Sequence, residues 1–194
     1  MTLKKWSVRV ALGVVMLLPL SLGVVWALQQ QGTADMAGSA SLPTLHIASS
    51  SFADGDSMPP RLTCDGLNLS PNIQLPSPPA GTKSFAIVMD DPDAPMGFTH
   101  WLAYNISADT RDLAEGASGP KKHLDHGAEG VNSFGNIGYG GPCPPEGTPH
   151  HYVFRVYALD INPAMQSGET RQVVAAVVKG HILAEGQITG LYSR

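Results

Sequence analysis

Short apolar runs, each of strand length, follow one another along most of the chain. Each run is rich in β-branched or aromatic residues and is bounded by glycine, proline, aspartate or asparagine, a pattern typical of strands joined by turns. We predict strands over Leu45–Ile47, Ser84–Met89, Trp101–Ile106, His151–Leu159 and Gly186–Tyr192. The segment from Asp112 to Gly130 has little apolar content and is interpreted as a long surface excursion.

One stretch has the period of a helix instead. From Thr170 to Ala184 the apolar side chains recur at spacings of three and four, which predicts an amphipathic helix with Thr170 or Ser167 as its N-cap. This apolar stripe consists of Val173, Val174, Val177, Val178, His181 and Ile182. Many strands and one late helix together predict an all-β fold, an antiparallel sandwich.

The N-terminal segment has a different character. Three basic residues (Lys4, Lys5 and Arg9) precede a run from Val10 to Leu28 that contains no charged residue. As a helix this run would be about 28 Å long, close to the thickness of a hydrocarbon core. Val25-Trp26-Ala27 fits signal-peptidase cleavage after Ala27, whereas the length of the run and the interfacial Trp26 fit an uncleaved anchor.

Three regions follow from this pattern. We predict a signal peptide or N-terminal membrane anchor over residues 1–28, a flexible linker of small polar residues over 29–43, and one folded domain over 44–194. Either interpretation of the first region predicts an exported domain, periplasmic or secreted, with membrane attachment through residues 10–28 if these are not cleaved.

Composition narrows the class of protein. With 43% hydrophobic residues the chain is not a disordered polymer, and 21 glycines and 16 prolines favour short elements joined by tight turns. A formal net charge of −4 argues against a nucleic-acid partner. Two cysteines are too few for a disulfide scaffold or a cysteine-rich zinc module.

Candidate chemistry first appears where the second predicted strand ends. Asp90, Asp91 and Asp93 crowd a turn that Pro92 and Pro95 make rigid, and His100 opens the next strand. A capped turn and a structural histidine would explain these residues separately. Trp101 follows His100, and since adjacent strand residues point to opposite faces, we expect its indole in the core.

A second candidate lies in the run from Gly138 to Gly147. This Gly/Pro-rich segment, with Cys143 in its middle, can be neither a helix nor a central strand, and it exposes backbone N–H groups as a potential anion nest. In the strand that follows, His150, Tyr152 and Phe154 share one face, while His151, Val153 and Arg155 share the other. His150 and Tyr152 are therefore predicted to point together at a pocket whose wall is the Gly/Pro loop.

The order of these motifs resembles the phosphatidylethanolamine-binding protein family, in particular its bacterial branch described as Raf-kinase-inhibitor-like, of YbhB/YbcL type. The resemblance covers roughly residues 44–194. It rests on the D-P-D-A-P turn, His100, the G-G-P-C-P-P loop and the strand H-H-Y-V-F-R-V-Y-A-L-D, together with Thr63-Cys64-Asp65-Gly66 and the ending Gly180–Glu185.

The resemblance implies a two-sheet antiparallel β-sandwich with a small anion-binding cavity at one end. Matched residue by residue, the implied ligand-binding positions are Asp91, Asp93, His100, Gly141, Pro144, Pro145, His150 and Tyr152. In chemical terms, the histidines and the tyrosine can donate hydrogen bonds to phosphate oxygens, while the carboxylates orient the imidazoles.

Three function classes follow. We favour a binding module for a small anion such as phosphate or a phosphorylated headgroup, without a cofactor or a metal. The alternatives are a protein-interaction or inhibitor module that uses the pocket rim, and a metal-dependent hydrolase built on Asp91, Asp93, His100 and His150. Because no Gly-x-Ser-x-Gly motif or activated nucleophile is evident, we do not expect an enzyme.

Cys64 and Cys143 are the only two cysteines of the chain. The predicted export places them in an oxidising compartment, so we predict a disulfide that pins the pocket loop. Two free buried thiols are the alternative.

Overall fold

A computed structural model describes residues 42–194. The predicted signal peptide or anchor and nearly all of the predicted linker lie outside these residues. Within the described part of the chain no helix is long and apolar enough to cross a membrane.

Two antiparallel sheets form the frame of the fold. The larger sheet has five strands in the order β5-β3-β2-β6-β7, and the smaller pairs β1 with β4. The strands are β1 (Ile73–Gln74), β2 (Ser84–Asp91), β3 (Phe98–Ser107), β4 (Asp112–Leu113), β5 (Ala128–Glu129), β6 (His150–Leu159) and β7 (Ile182–Tyr192). A 3-10 turn spans Pro60–Leu62, and the helix α1 spans Arg171–Val178. The predicted all-β, two-sheet architecture is confirmed.

The central strand β2 contains the apolar run Phe85–Met89. All eight of its residues are buried, because both faces of the large sheet are covered. On one face Phe85, Ile87 and Met89 join the core that reaches the small sheet. On the other face Ala86 and Val88 pack toward α1. A strand buried on both faces needs continuous hydrophobicity rather than alternation, as this sequence has.

The helix is shorter than predicted. The Thr170 side chain does cap it, accepting a hydrogen bond from the Val173 amide, and Val174 and Val178 are its buried residues. The helix ends at Val178, and Gly180 follows in the left-handed region at φ 83°. The apolar pattern continued beyond that point because β7 begins at Ile182, so the prediction joined two elements into one.

Two further expectations were wrong. Leu45–Ile47 forms no strand, and only isolated bridges at Thr44 and Ala48 flank it. The segment from Asp112 to Gly130 is not wholly a surface excursion, since it supplies β4 and β5 and buries Leu113 and Glu129. Both strands have only two residues, which is too short for periodicity to reveal.

Candidate functional site

The turn after β2 is organised by the carboxylate of Asp91. Its Oδ1 accepts hydrogen bonds from the amides of Asp93 at 2.9 Å and Ala94 at 3.0 Å. Its Oδ2 lies 2.7 Å from Nδ1 of His150, the first residue of β6. The Asp91 carboxylate therefore both caps its own turn and orients one imidazole, as expected of a carboxylate beside a functional histidine.

Asp93 has a different partner. Its Oδ2 accepts from the backbone amide of His151 at 2.7 Å and lies 2.8 Å from Nδ1 of His151. Partial burial raises the pKa of Asp93, but the two hydrogen bonds from His151 outweigh it and the pKa is lowered overall. Both side chains are about half exposed, at 42% for Asp93 and 56% for His151. Asp93 thus ties the turn to β6 from the outer side.

The predicted two-face arrangement of β6 matches the structure. Tyr152 and Phe154 are fully buried in the core between the sheets, and His150 precedes them on the same face. His151 is exposed, and Arg155 forms an ion pair with Asp90 on the opposite face.

His100 reaches this same face through an irregularity in β3. Met89 pairs with Trp101 and Asp90 with Thr99, so His100 is an extra residue with no partner on β2. Such a bulge re-aims a side chain. The His100 ring lies 5.1 Å from the Tyr152 ring, centroid to centroid, while the neighbouring Trp101 also packs in the inter-sheet core. The indole is in the core as expected, but the assumption that it points away from His100 was wrong.

Aromatic rings enclose His100 on several sides. Besides Tyr152, the Phe98 ring lies 4.9 Å and the Phe134 ring 5.4 Å from the imidazole, again between centroids. His100 is only 3% exposed. Burial lowers the pKa of His100, although the carbonyl of Gly140 and the charge of Asp91 act in the opposite direction. Phe98 and Phe134 were not predicted as part of the site, and in the sequence only their position relative to His100 could have indicated them.

Tyr152 carries a buried hydroxyl without a hydrogen-bond partner among the described residues. Burial is the main reason that the pKa of this hydroxyl is raised, and the nearby carboxylates of Asp91 and Asp93 add to it. The hydroxyl lies near Asp91 without the geometry of a hydrogen bond, so the phenol stays neutral and has a donor to offer.

The Gly/Pro loop differs from the predicted anion nest. The amides of Gly138, Tyr139, Gly140 and Gly141 already donate, to the oxygens of Gly130, Ser118, His100 and Asn68, respectively. These four N–H groups are therefore not free for a ligand. The loop supplies instead the carbonyl of Gly140, which accepts from Nδ1 of His100 at 2.7 Å.

Gly141 has a packing role. A Cβ at this position would overlap the carbonyl oxygen of Leu62 and lie 2.6 Å from Oδ1 of Asn68. Asn68, which sequence reasoning missed, adopts a positive φ of 58°, a region where asparagine is well tolerated. Of the two matched prolines, Pro144 is buried and Pro145 is exposed.

The predicted disulfide is confirmed. Cys64 and Cys143 are bonded, with their Cα atoms 5.4 Å apart. The Cys64 amide also donates to the carbonyl of Pro142. The loop is thereby attached to the segment that holds Asn68.

Two buried acids outside the matched set support the site. Asp90 accepts from Thr99 and pairs with Arg155 and Arg171, which ties the end of β2 to α1. Glu129 accepts from the Trp101 indole at 2.7 Å and lies 3.0 Å from Nδ1 of His123. Alternation along β2 could have predicted that Asp90 lies on the sheet face opposite to Asp91. Glu129 could not have been found in this way, because it lies in the segment that was interpreted as a surface excursion.

Two clefts flank the candidate site. One, of about 750 Å³, includes Asp91, Phe98 and Arg171 in its lining, and the other, of about 700 Å³, includes Phe134 and Gly141. His100, His150 and Tyr152 line neither cleft. Within residues 42–194, no three histidine, cysteine, aspartate or glutamate side chains are grouped so that they could hold a metal ion.

Comparison with known proteins gives consistent matches. A sequence model of the family described as phosphatidylethanolamine-binding protein matches residues 48–193. A UPF0098 protein of Aquifex aeolicus is 46% identical over 154 residues, which cover 77% of this chain and 89% of the relative. The UPF0098 protein YbhB of Escherichia coli is 39% identical over 158 residues, covering 77% of this chain and 100% of YbhB.

Solved structures agree with the sequence relatives. The crystal structure of Escherichia coli YbcL, described as a new member of the mammalian PEBP family, matches with a TM-score of 0.71 and 33% identity, over 77% of this chain and 98% of YbcL. The PEBP homologue CT736 of Chlamydia trachomatis also has a TM-score of 0.71, with 32% identity, 78% of this chain and 98% of that chain.

Proposed function

The chain belongs to the phosphatidylethanolamine-binding protein family, and we propose that it is a binding protein that holds a small oxyanion between His100, His150 and Tyr152. The chemistry of the ligand is that of a phosphate group, either free or as part of a phosphorylated headgroup. Asp91 would orient His150, and the carbonyl of Gly140 would orient His100.

The buried hydroxyl of Tyr152 is the observation that carries this proposal. A buried polar group without a partner costs about 1–3 kcal/mol. Tyr152 is 0% exposed and its hydroxyl has no hydrogen-bond partner among residues 42–194. A ligand oxygen between the two imidazoles would accept a hydrogen bond from this hydroxyl. Ligand binding would therefore explain why the hydroxyl has no partner within the protein.

Calorimetric titration of the full chain tests the proposal. Inorganic phosphate and phosphoethanolamine serve as separate ligands, so that the free anion and the headgroup are distinguished. His150→Ala removes one charge-assisted hydrogen bond and is expected to weaken binding by about ten- to hundredfold. His151→Ala is the matched control, because the His151 side chain is exposed and pairs with the carboxylate of Asp93 on the outer side of β6. Equal losses in the two variants, or no heat with either ligand, would contradict the proposal.

Binding is proposed rather than catalysis. The hydroxyl of the site belongs to Tyr152, and burial raises its pKa, which opposes its use as a nucleophile. The described residues group no three side chains suited to a metal ion, so the metal-dependent hydrolase receives no support from them.

A protein-interaction role is the second candidate, and it rests on apolar side chains near the site. Met96, in the turn after β2, is 96% exposed, and Phe134, beside His100, is 47% exposed. A contiguous exposed apolar patch is typical of a contact surface, and Phe98 connects these two side chains, since its ring lies 4.7 Å from that of Phe134 and it lines one cleft with Met96. Met96→Ser would weaken capture of a protein partner while leaving phosphate affinity unchanged, whereas a pure anion-binding protein would lose nothing.

Export is also proposed. The basic residues before the apolar run, the small residues at Val25 and Ala27, and the Cys64–Cys143 disulfide support a periplasmic or secreted domain. Fractionation of expressing bacteria, with N-terminal sequencing of the product, tests this. A mature N-terminus at residue 28 indicates cleavage, a membrane-bound intact chain indicates an anchor, and an intact chain in the cytosol contradicts export.

A further inference from the structure

Both imidazoles of the candidate site have the same nitrogen committed to an oxygen acceptor. Nδ1 of His100 lies 2.7 Å from the carbonyl oxygen of Gly140. Nδ1 of His150 lies 2.7 Å from Oδ2 of Asp91. A carbonyl oxygen and an ionised carboxylate can accept a hydrogen bond but cannot donate one. Nδ1 therefore carries the hydrogen in each ring. The backbone thus fixes the tautomer of His100.

The other nitrogen of each ring is therefore the one left for a ligand. Neither Nε2 makes a hydrogen bond with any residue of the described chain. In a neutral imidazole whose Nδ1 is protonated, Nε2 is a lone-pair acceptor and has no hydrogen to donate. At the buried His100, a fully ionised oxyanion would place its own lone pair against Nε2, which is repulsive unless a proton lies between them.

We propose that oxyanion binding at this site takes up a proton, which bridges Nε2 of His100 and a ligand oxygen. The inference rests on the function proposed above and adds the protonation state of the bound pair. The proton comes from solvent, or from the ligand when that is a hydrogen phosphate, and only bonds to this hydrogen change, with no bond between heavy atoms made or broken. The preferred ligand class is an oxyanion that can bring its own proton.

The surroundings of His100 explain why it begins neutral. Its ring is enclosed by Phe98, Phe134 and Tyr152, and this burial lowers its pKa. The charged groups that act on it are Asp90 and Asp91 at the end of β2, and the ring of Tyr152 faces it from β6. The carbonyls of Gly140 and Gly141 face it from the loop. An anion placed in the site adds a negative charge that favours the imidazolium.

A comparison of sulfate with phosphate distinguishes a proton taken from solvent from one brought by the ligand. Sulfate is fully ionised near neutral pH, so its bridging proton must come from solvent. Its affinity is expected to fall by about tenfold per pH unit above the range where free His100 titrates, which is the slope for one linked proton. Hydrogen phosphate brings its own proton, so its affinity should fall less steeply over the same range.

The number of protons is measured directly. Calorimetric titration of the full chain with sulfate at pH 7, repeated in buffers of different ionisation enthalpy, gives the protons taken up per anion bound. We expect close to one proton. His100→Asn retains a donor for the Gly140 carbonyl but has no second nitrogen, and it should remove the proton uptake. His151→Ala should leave it at the wild-type value. A buffer-independent binding enthalpy in the wild-type chain overturns the inference while leaving the proposed function intact.

A measurement without ligand guards against variants that do not fold. Imidazole nitrogen resonances in a long-range nitrogen–proton correlation spectrum distinguish a protonated ring nitrogen from an unprotonated one. We expect His100 at pH 7 to be neutral, with the hydrogen on Nδ1. A hydrogen on Nε2 overturns the inference, whatever the calorimetry shows. No heat with sulfate or phosphate from pH 5 to pH 8 overturns the proposed function, and this inference with it.

Discussion

Removing the hydroxyl of Tyr152 should weaken anion binding without weakening the fold. Tyr152→Phe keeps the ring that packs 5.1 Å from His100 and in the inter-sheet core. The only atom removed is a buried oxygen that has no hydrogen-bond partner in the described chain. The free protein therefore loses a desolvated polar group and no hydrogen bond.

The expected magnitudes have opposite signs. An unsatisfied buried hydroxyl costs about 1–3 kcal/mol, and its proximity to Asp91 offsets part of that cost. We expect the free energy of unfolding to rise by about 1 kcal/mol or to stay unchanged. Phosphate, in contrast, loses a hydrogen bond to a charged group, so its affinity should fall by about tenfold or more.

Tyr139→Phe is the matched control. Tyr139 is also buried, at 4% exposure, but its hydroxyl donates to the carbonyl of Leu62 at 2.8 Å. Removing it leaves that carbonyl unsatisfied, so the free energy of unfolding should fall by about 1–2 kcal/mol with little change in phosphate affinity. Urea denaturation and calorimetric titration of both variants give the two quantities. A loss of stability in Tyr152→Phe as large as that in Tyr139→Phe would refute the reasoning, since it would mean that Tyr152 already has a strong internal partner.

Three further predictions concern the frame of the site. Gly141→Ala should lower the free energy of unfolding by about 1–3 kcal/mol in urea denaturation, because its Cβ would overlap the Leu62 carbonyl; an unchanged midpoint would mean that the loop shifts freely. Asp90→Asn should destabilise the fold by about 2 kcal/mol while phosphate affinity stays near normal, since Asp90 pairs with Arg155 and Arg171 on the face opposite the site; a large loss of affinity in calorimetry would contradict that separation. Without oxyanions, stability should fall as pH drops below about 6.5, because the unfolded state protonates His100 where the folded state resists it. His100→Asn should flatten this pH dependence of the urea midpoint, and an unchanged slope would exclude His100 as its source.

The sequence predicted the parts of the site that regular strands position. Alternation along β6 placed His150 and Tyr152 on one face and His151 on the other, because an antiparallel strand keeps its period of two. The continuous apolar run Phe85–Met89 indicated a buried strand, because a strand covered on both faces is apolar at successive positions. Family motifs supplied the pairing of a carboxylate turn with the histidines.

What failed was local geometry that periodicity cannot encode. The extra residue at His100 changes the sheet face on which its side chain lies, and the neighbouring amino acids do not distinguish a bulge from a regular strand. The amides of Gly138 to Gly141 were assumed to be exposed, but their acceptors come from segments distant in the chain, such as Asn68 and Ser118. The helix was predicted to be too long, because the same apolar pattern, interrupted by Gly180, fits either one continuous helix or a helix end followed by a strand.

The pairing of β2 with β6 has a consequence for how the molecule folds. Asp91 and His150, whose side chains form the 2.7 Å contact, are 59 positions apart, and β3, β4 and β5 lie between their strands in the chain. Contacts across such separations form late and slowly, because a long loop must close before they contribute. The proposed anion site is therefore not yet formed in a chain that has assembled only the β2–β3 hairpin. An oxyanion should slow unfolding of the native molecule, yet leave the rate of the early folding steps unchanged.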